Sequence, residues 1–250
     1  MSLRIAFDLD GVLADMESEL VRQAEILFGE SVTRRLRLRA AEAADVADAA
    51  EVAEAKTAPD VSPDAAPDVV PAMAQLNMTS RQQRRLWHHV ESIENFWEGL
   101  DELEPGVIQR LASVAADRRW EVIFLTKRPK TVGATAQVQT QRWLESRGFT
   151  LPSVFVVQKS RGRIAASLGL DIVVDDRPEN CLDVVADSKA RAILVWRTGE
   201  NQLPAAAQRL GIGVVKSVAD CLDILAAVDD ATRQEPGMME RVMRRLGLKG

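Results

Sequence analysis

The sequence predicts an α/β fold whose core has three layers, a parallel β-sheet with helices on both of its faces. Two observations favour this fold. Short apolar runs rich in β-branched residues recur along the chain, and stretches with apolar residues at helical spacing separate them. Such alternation is typical of parallel, Rossmann-like sheets that are buried on both faces. With 250 residues, of which 46% are hydrophobic, the chain can bury one such core and a smaller second domain.

Six apolar runs are the predicted strands. They cover residues 3–7, 121–126, 153–157, 170–174, 190–196 and, more weakly, 213–215. Helical spacing lies between them, for example at Val107, Leu111 and Val114 before the second run. We therefore assign residues 1–15 together with 101–228 to the core.

The segment 16–100 is predicted to form a mainly helical cap, inserted after the first strand. Apolar residues at helical spacing support one helix before Gly29 and another that Thr79 or Ser80 can cap. Within the cap, residues 40–72 combine alanine and acidic residues with a proline at every fourth position from residue 59 to residue 71. Because this composition buries little and interrupts helices, the insert is interpreted either as a part of the cap or as a disordered linker.

Residues 229–250 are predicted to form a C-terminal helical tail. Its apolar side chains fall roughly on one helical face, at Met238, Met239, Val242, Met243 and Leu246. That face can pack on the core of its own chain or on a second copy, so the tail is a candidate contact in a homo-oligomer.

Charge, histidine content and hydropathy argue against several classes of protein. The net charge is −5, of which residues 40–72 carry −7, so the rest is +2 and no bulk attraction to a nucleic acid polymer is expected. His88 and His89 are the only histidines, which leaves no histidine-based zinc site or serine triad. Without a signal peptide or a run of about 18 apolar residues, we expect a cytoplasmic protein with no membrane partner. Cys181 and Cys221 are expected to be free, buried thiols.

Polar residues follow four of the predicted strands, at the points where the strands end. They are Asp8, Asp10, Thr126, Lys159, Asp175 and Asp176. Because the carboxyl ends of parallel strands meet at one edge of the sheet, where ligands bind, these side chains are expected to converge. A single aspartate at a strand end is usually a turn former, but that explanation accounts poorly for four segments in register. Carboxylates this close repel each other, and a divalent cation with oxygen ligands, commonly Mg²⁺ inside cells, relieves the repulsion.

These segments resemble, in their order along the chain, the four motifs of the haloacid dehalogenase (HAD) superfamily. The resemblance covers residues 3–15 and about 101–220, and it implies a HAD-like core that carries a cap. Phosphatases and phosphomutases of the superfamily have an acid two residues after the first aspartate, as Asp10 follows Asp8, whereas dehalogenases lack it. More narrowly, residues 8–15, 95–100 and 124–129 are similar to the 5′-nucleotidase and deoxyribonucleotidase branch.

The resemblance implies a role for each site residue. Asp8 would attack phosphorus and form an aspartyl-phosphate, and a carboxylate with an ordinary pKa of about 4 needs no base to do so. Asp10 would protonate the leaving oxygen and then deprotonate the attacking water. The phosphate would be bound by Thr126, Lys127 and Lys159, with Arg161 and Arg163 as alternatives to Lys159. Mg²⁺ would be held by Asp8, the Asp10 backbone carbonyl and Asp176, with Asp175 acting through water or Lys159.

The sequence therefore predicts a Mg²⁺-dependent phosphomonoesterase that acts on a small phosphorylated metabolite, with a nucleotide as one candidate. Two alternatives stay open. A catalytically silent relative would keep this fold and bind a phosphorylated partner. A phosphotransferase or phosphomutase would share every core residue and differ only in the acceptor. The intact set of site residues favours an enzyme.

Overall fold

The computed structural model describes residues 2–31, 33–35, 78–197, 207 and 209–234. Its sheet has six strands, β1 Arg4–Asp8, β2 Glu121–Thr126, β3 Ser153–Val156, β4 Ile172–Asp175, β5 Arg191–Val195 and β6 Gly213–Val215. All neighbouring strands pair in parallel, in the order β3-β2-β1-β4-β5-β6. Each predicted apolar run overlaps one strand, so the predicted parallel sheet is confirmed.

The strand order places β1 where the direction of the chain connections reverses. The chain reaches β2 and β3 on one side of β1, and β4, β5 and β6 on the other. Asp8, the last residue of β1, pairs in register with Leu125 of β2, and Phe7 pairs with Val174 of β4. A crevice opens beyond the carboxyl ends of the strands at such a point. The register therefore brings the ends of β1, β2 and β4 side by side.

The helices are α1 Met16–Phe28, α2 Ser80–Ser92, α3 Val107–Arg118, α4 Ala136–Ser146, α5 Arg161–Leu168, α6 Pro178–Asp187 and α7 Val218–Gln234. Helix α5 packs on α6, which lies against β4 and β5, while α3 contacts α7. Successive strand residues point to opposite faces of the sheet, so Ala6 and Val173 join the core beneath α5 and α6 while Ile5 and Phe7 are buried on the other face. Both faces of the sheet are thus covered, as the predicted three layers require.

The chain divides into two compact units, one formed by Met1–Asp15 with Asn95–Gly250 and the other by Met16–Glu94. The second unit contains α1 and α2, whose buried apolar residues include Leu20 and Val90. Thr79 begins α2 with a reciprocal cap, in which its hydroxyl accepts from the Gln82 backbone N–H at 3.3 Å and the Gln82 side chain accepts from the Thr79 N–H at 2.9 Å. The predicted cap boundary at residue 100 lies within the first unit, which resumes at Asn95.

Helix α7 runs through residue 229, where the sequence predicts the start of a separate tail. Asp229 does not end the helix because it is buried and paired, 3.3 Å from Arg118 Nη1 and accepting a hydrogen bond from Trp120 Nε1 at 3.3 Å. The insert at 40–72 and the apolar face predicted for residues 238–246 lie outside the described residues. In the part of the chain that the structure describes, no helix is both long and apolar enough to cross a membrane.

Candidate active site

The turn after β1 presents the first two aspartates. The Leu9 carbonyl accepts hydrogen bonds from the N–H groups of Leu13 and Ala14, both at 2.8 Å, which folds the chain back directly after Asp8. Gly11 occupies the left-handed region at φ +87°, and a Cβ on it would overlap the Asp176 carboxylate. The turn thus needs glycine for its conformation and for the close approach of Asp176.

Asp8 is buried and forms an ion pair with Arg161, whose Nη2 donates to Asp8 Oδ1. Burial raises the pKa of Asp8 well above its usual range. Arg161 opposes this shift, while the negative charges of Asp175 and Asp176 add to it. The sequence-based assumption that Asp8 has an ordinary carboxylate pKa is therefore corrected, because its ionisation in the fold depends on neighbouring positive charge.

Arg161 lies in this place because of the way α5 begins. Ser160 is the residue before the helix, and its hydroxyl accepts from the Arg163 N–H at 3.1 Å, so Arg161 is the first helical residue. The guanidinium is buried, and its Nε lies 3.6 Å from Asp175 Oδ2. Among the described residues, its Nη1 is a buried donor with no hydrogen-bond partner. This donor is available to an anionic ligand.

Asp175 and Asp176, at the end of β4, have different surroundings. Asp175 is fully buried and accepts from the Arg177 N–H at 2.9 Å and from Asn180 Nδ2 at 3.0 Å. Burial raises the pKa of Asp175, and Arg161 opposes that shift. Burial, followed by the charge on Asp175, raises the pKa of Asp176 to about 7. Within the described chain, Asp176 Oδ1 is a buried acceptor with no hydrogen-bond partner, which leaves it available to a cation.

Asp10 is held by two residues that follow β2. Thr126 Oγ1 donates to Asp10 Oδ2 at 3.2 Å. Arg128 donates to the same carboxylate, from Nε to each oxygen at 3.1 Å and from Nη2 to Oδ1 at 2.7 Å. The structure therefore places the Thr126 hydroxyl on Asp10, where a phosphate would have to compete for it.

The predicted phosphate-binding side chains differ in their exposure and contacts. Lys127 is half-buried, and its backbone carbonyl accepts from Gln158 Nε2 at 3.3 Å. Lys159 is exposed, two residues before Arg161. Arg163 is also exposed and lies 3.7 Å from Asp187. Among Lys159, Arg161 and Arg163, the structure brings Arg161 to Asp8 and Asp175. Phosphate binding by Lys127 and Lys159 stays a prediction.

Sequence reasoning gave Arg128 and Asn180 no role in the site. A signal for Arg128 was present, because residues two apart in an extended chain point in the same direction and Arg128 follows Thr126 by two positions. That periodicity favours Arg128 over Lys127 as a neighbour of the site. Asn180 has no comparable signal, since its contact with Asp175 depends on how α6 begins after β4.

The donor set fits a divalent cation. The negative charge of Asp176 contributes to the raised pKa of Asp8, and the Asp176 Oδ1 acceptor lacks a hydrogen-bond partner in the described chain. No group of three or more histidine, cysteine or acidic side chains that could hold a metal occurs among the described residues. The predicted site uses only two carboxylates, and its third protein ligand is the backbone carbonyl of Asp10. Hard oxygen donors of this kind suit Mg²⁺, which keeps several water ligands.

No family model matches the chain, and no curated protein matches it. Several solved structures do match the chain. One is a haloacid dehalogenase-like family hydrolase from Xanthomonas campestris, with 14% identity, a TM-score of 0.48 and coverage of 94% of this chain and 95% of that one. A putative β-phosphoglucomutase from Thermotoga maritima has 18% identity, a TM-score of 0.49 and coverage of 90% and 99%.

A third solved structure is a HAD family hydrolase from Deinococcus radiodurans R1 with bound phosphate and sodium. It has 17% identity, a TM-score of 0.47 and coverage of 92% of this chain and 96% of that one.

Proposed function

We propose that the protein is a Mg²⁺-dependent phosphohydrolase that cleaves a small phosphorylated metabolite through an aspartyl-phosphate on Asp8. One observation carries the proposal. Asp8, Asp10 and Asp176 converge at the carboxyl ends of β1 and β4 beside the buried guanidinium of Arg161, and Asp176 Oδ1 and Arg161 Nη1 have no partner among the described residues. A phosphate and a cation would supply the missing partners together.

Arg161 is suited to bind the phosphate. Its Nη2 is engaged by Asp8, while Nη1 is buried without a described partner, so an arriving phosphate oxygen can take the free donor. A dianionic phosphate also competes with Asp8 for the guanidinium. As the Asp8–Arg161 pair loosens, an Asp8 oxygen becomes available for attack on phosphorus.

The carboxylate of Asp8 attacks phosphorus in line, so that one Oδ–P bond forms as the bond to the leaving oxygen breaks. The carboxylates of Asp8 and Asp176 and the Asp10 carbonyl would hold Mg²⁺, which would supply positive charge that lowers the repulsion between Asp8 and the phosphate. Asp10 gives a proton to the leaving oxygen and in the second step takes one from the water that hydrolyses the aspartyl-phosphate. Thr126 exchanges its hydrogen bond to Asp10 for one to a phosphoryl oxygen.

Phosphate release from a panel of nucleotides and sugar phosphates, measured with Mg²⁺ and with excess chelator, tests this function. We expect at least one small phosphate monoester to be hydrolysed with Mg²⁺, and chelation to abolish the release. Release that is unchanged in chelator would contradict the cation site. If the phosphoryl group passes to an added sugar or alcohol and not to water, the protein is a phosphotransferase with the same core.

A further inference from the structure

We infer that Arg128 is a positioning residue that acts through Asp10, holding the acid/base carboxylate in the orientation that the reaction uses. This inference rests on the proposed function, because the role of Asp10 is taken from it. It adds a residue to which no motif of the sequence gives a role. The contacts of Arg128, the burial of its side chain and the way its neighbours are fixed all support it.

The contact between Arg128 and Asp10 restricts the carboxylate more than a single hydrogen bond would. Nε and Nη2 together reach both oxygens, at distances of 2.7–3.1 Å. A planar guanidinium that engages both oxygens fixes the rotation of the carboxylate about its own axis as well as its position. Thr126 adds a third donor, to Oδ2 at 3.2 Å. Asp10 therefore has little freedom to turn.

The guanidinium is itself fixed on the side away from Asp10. Its Nη1 donates to Thr140 Oγ1 at 2.9 Å, and its Cζ lies 4.9 Å from the ring centre of Trp97 and 5.7 Å from that of Trp143. The rings are anchored in turn, since Trp97 Nε1 donates to the Pro129 carbonyl at 3.1 Å and Trp143 Nε1 donates to the Leu100 carbonyl at 2.7 Å. Arg128 thus transmits the rigidity of the core to Asp10.

The Arg128 side chain has no exposed surface, whereas 13% of the Asp10 side chain is exposed. Each nitrogen of the guanidinium already donates to Asp10 or Thr140, and the side chain presents no surface to a substrate. Its removal should therefore lower kcat and leave KM almost unchanged. A residue that bound the phosphate directly would raise KM instead.

A double-mutant cycle on turnover of a phosphate monoester tests the inference. We expect Asp10→Asn to lower kcat for an alkyl phosphate by 10²–10⁴-fold, as an order of magnitude. Arg128→Met keeps an apolar stem between the rings and should cost about 10²-fold through misplacement of Asp10. If Arg128 acts only through Asp10, the double variant should be no slower than Asp10→Asn alone.

Two features keep this test interpretable. An activated aryl phosphate, whose leaving group needs little protonation, keeps the Asp10→Asn variants measurable through their initial burst. Lys189→Met removes an exposed lysine just before β5, outside the site, and should leave turnover unchanged. If urea unfolding shows that Arg128→Met does not fold, Arg128→Lys is the second variant, because it keeps the buried charge but cannot contact both oxygens of Asp10 at once. It should lower kcat by a smaller factor, again without a further loss when combined with Asp10→Asn.

The outcomes separate this inference from the proposed function. Losses that multiply in the double variant, or a KM that rises with kcat unchanged, overturn the inference while leaving the phosphatase intact. A folded wild-type protein that releases no phosphate from any monoester overturns the proposed function and this inference with it. A non-multiplicative loss confined to kcat supports both.

Discussion

Of three candidate cationic side chains after β3, Arg161 is the one that the structure places against Asp8. The sequence favours Lys159 as the cation of the site and leaves Arg161 and Arg163 as alternatives, since each follows β3 within a few positions. The helix cap at Ser160 separates them, because it makes Arg161 the first helical residue and leaves the other two exposed. The fork of Arg161 contacts Asp8 and approaches Asp175 within 3.6 Å. A cap of this kind is too local for apolar periodicity to reveal.

We expect Arg161→Met to lower kcat/KM by roughly 10²-fold or more, because a buried donor aimed at the developing charge on the phosphate is lost. Lys159→Met tests the rival cation and should lower kcat/KM less than Arg161→Met does, since Lys159 is exposed whereas Arg161 is buried against Asp8. Steady-state kinetics on one monoester checks both variants. A large loss in Lys159→Met with none in Arg161→Met would reverse the assignment.

Sequence spacing identifies some of the other site residues and not the rest. The pair Asp8 and Asp10 and the pair Asp175 and Asp176 are visible because each follows a continuous apolar run at a strand end. Arg128 was missed although it follows Thr126 by two positions, and its contacts with Trp97 and Trp143 come from distant parts of the chain. Spacing along the chain shows which polar residues lie at the ends of strands. It does not show which arginine pairs with which aspartate.

The strands themselves were predictable at the scale of elements. All six follow from apolar runs, and β2 and β6 have the predicted bounds, because a buried parallel strand is apolar on both faces. By contrast, residue 229, where the sequence predicts the start of a tail, lies inside α7, which continues to Gln234. Asp229 accepts hydrogen bonds from Arg118 and Trp120, which are more than 100 positions away in the sequence. These contacts stabilise α7 at the residue where the sequence predicts a boundary. Such distant pairing cannot be predicted from local composition.

The contact between α5 and α6 fixes the position of Arg161. Gly162 lies against the Asp183 carbonyl so closely that a Cβ would overlap it. Asp183 also accepts from the Gly162 N–H at 3.0 Å and from Ser160 Oγ at 2.8 Å. The start of α5 is therefore held on α6 by a close backbone approach and by one carboxylate.

Gly162→Ala should destabilise the protein by about 1–3 kcal/mol and lower kcat/KM, because α5 must move away from α6 and carry Arg161 with it. Alanine is the better helix former by about 1 kcal/mol, so propensity alone predicts the opposite sign. Urea unfolding and steady-state kinetics measure the two effects. Ser167→Ala, on the exposed side of α5, is the control and should be neutral. A stabilised Gly162→Ala variant would show that the two helices are not in close contact.

Across the whole molecule, the two cysteines link stability to alkaline pH. Cys181 and Cys221 are free and fully buried, and burial raises the pKa of both thiols. A group whose pKa is raised on folding contributes stability below its unfolded pKa and loses it as the pH rises. The unfolded value for a thiol is about 8.5, so the loss begins above that pH.

We expect each thiol to cost about 2 kcal/mol of unfolding free energy at pH 10, where the unfolded chain ionises and the folded chain does not. The measurement is urea unfolding at pH 7 and pH 10 for the wild type and for a variant with Cys181→Ala and Cys221→Ala. The variant should be less stable at pH 7, because two cavities form, but its loss between the two pH values should be smaller. An equal loss in both proteins would show that other groups cause the alkaline transition.

The central claim for the whole molecule is that the six-stranded sheet presents Asp8 as a nucleophile. The direct measurement is the intact mass of the protein after acid quench during turnover of an activated aryl phosphate with Mg²⁺, for the wild type and for Asp8→Asn. We expect the wild type to gain the mass of one phosphoryl group and Asp8→Asn to gain none, because a neutral amide oxygen is a far poorer nucleophile than a carboxylate. Wild-type turnover by Asp8→Asn would contradict the account, since the strand ends would then form only a binding site.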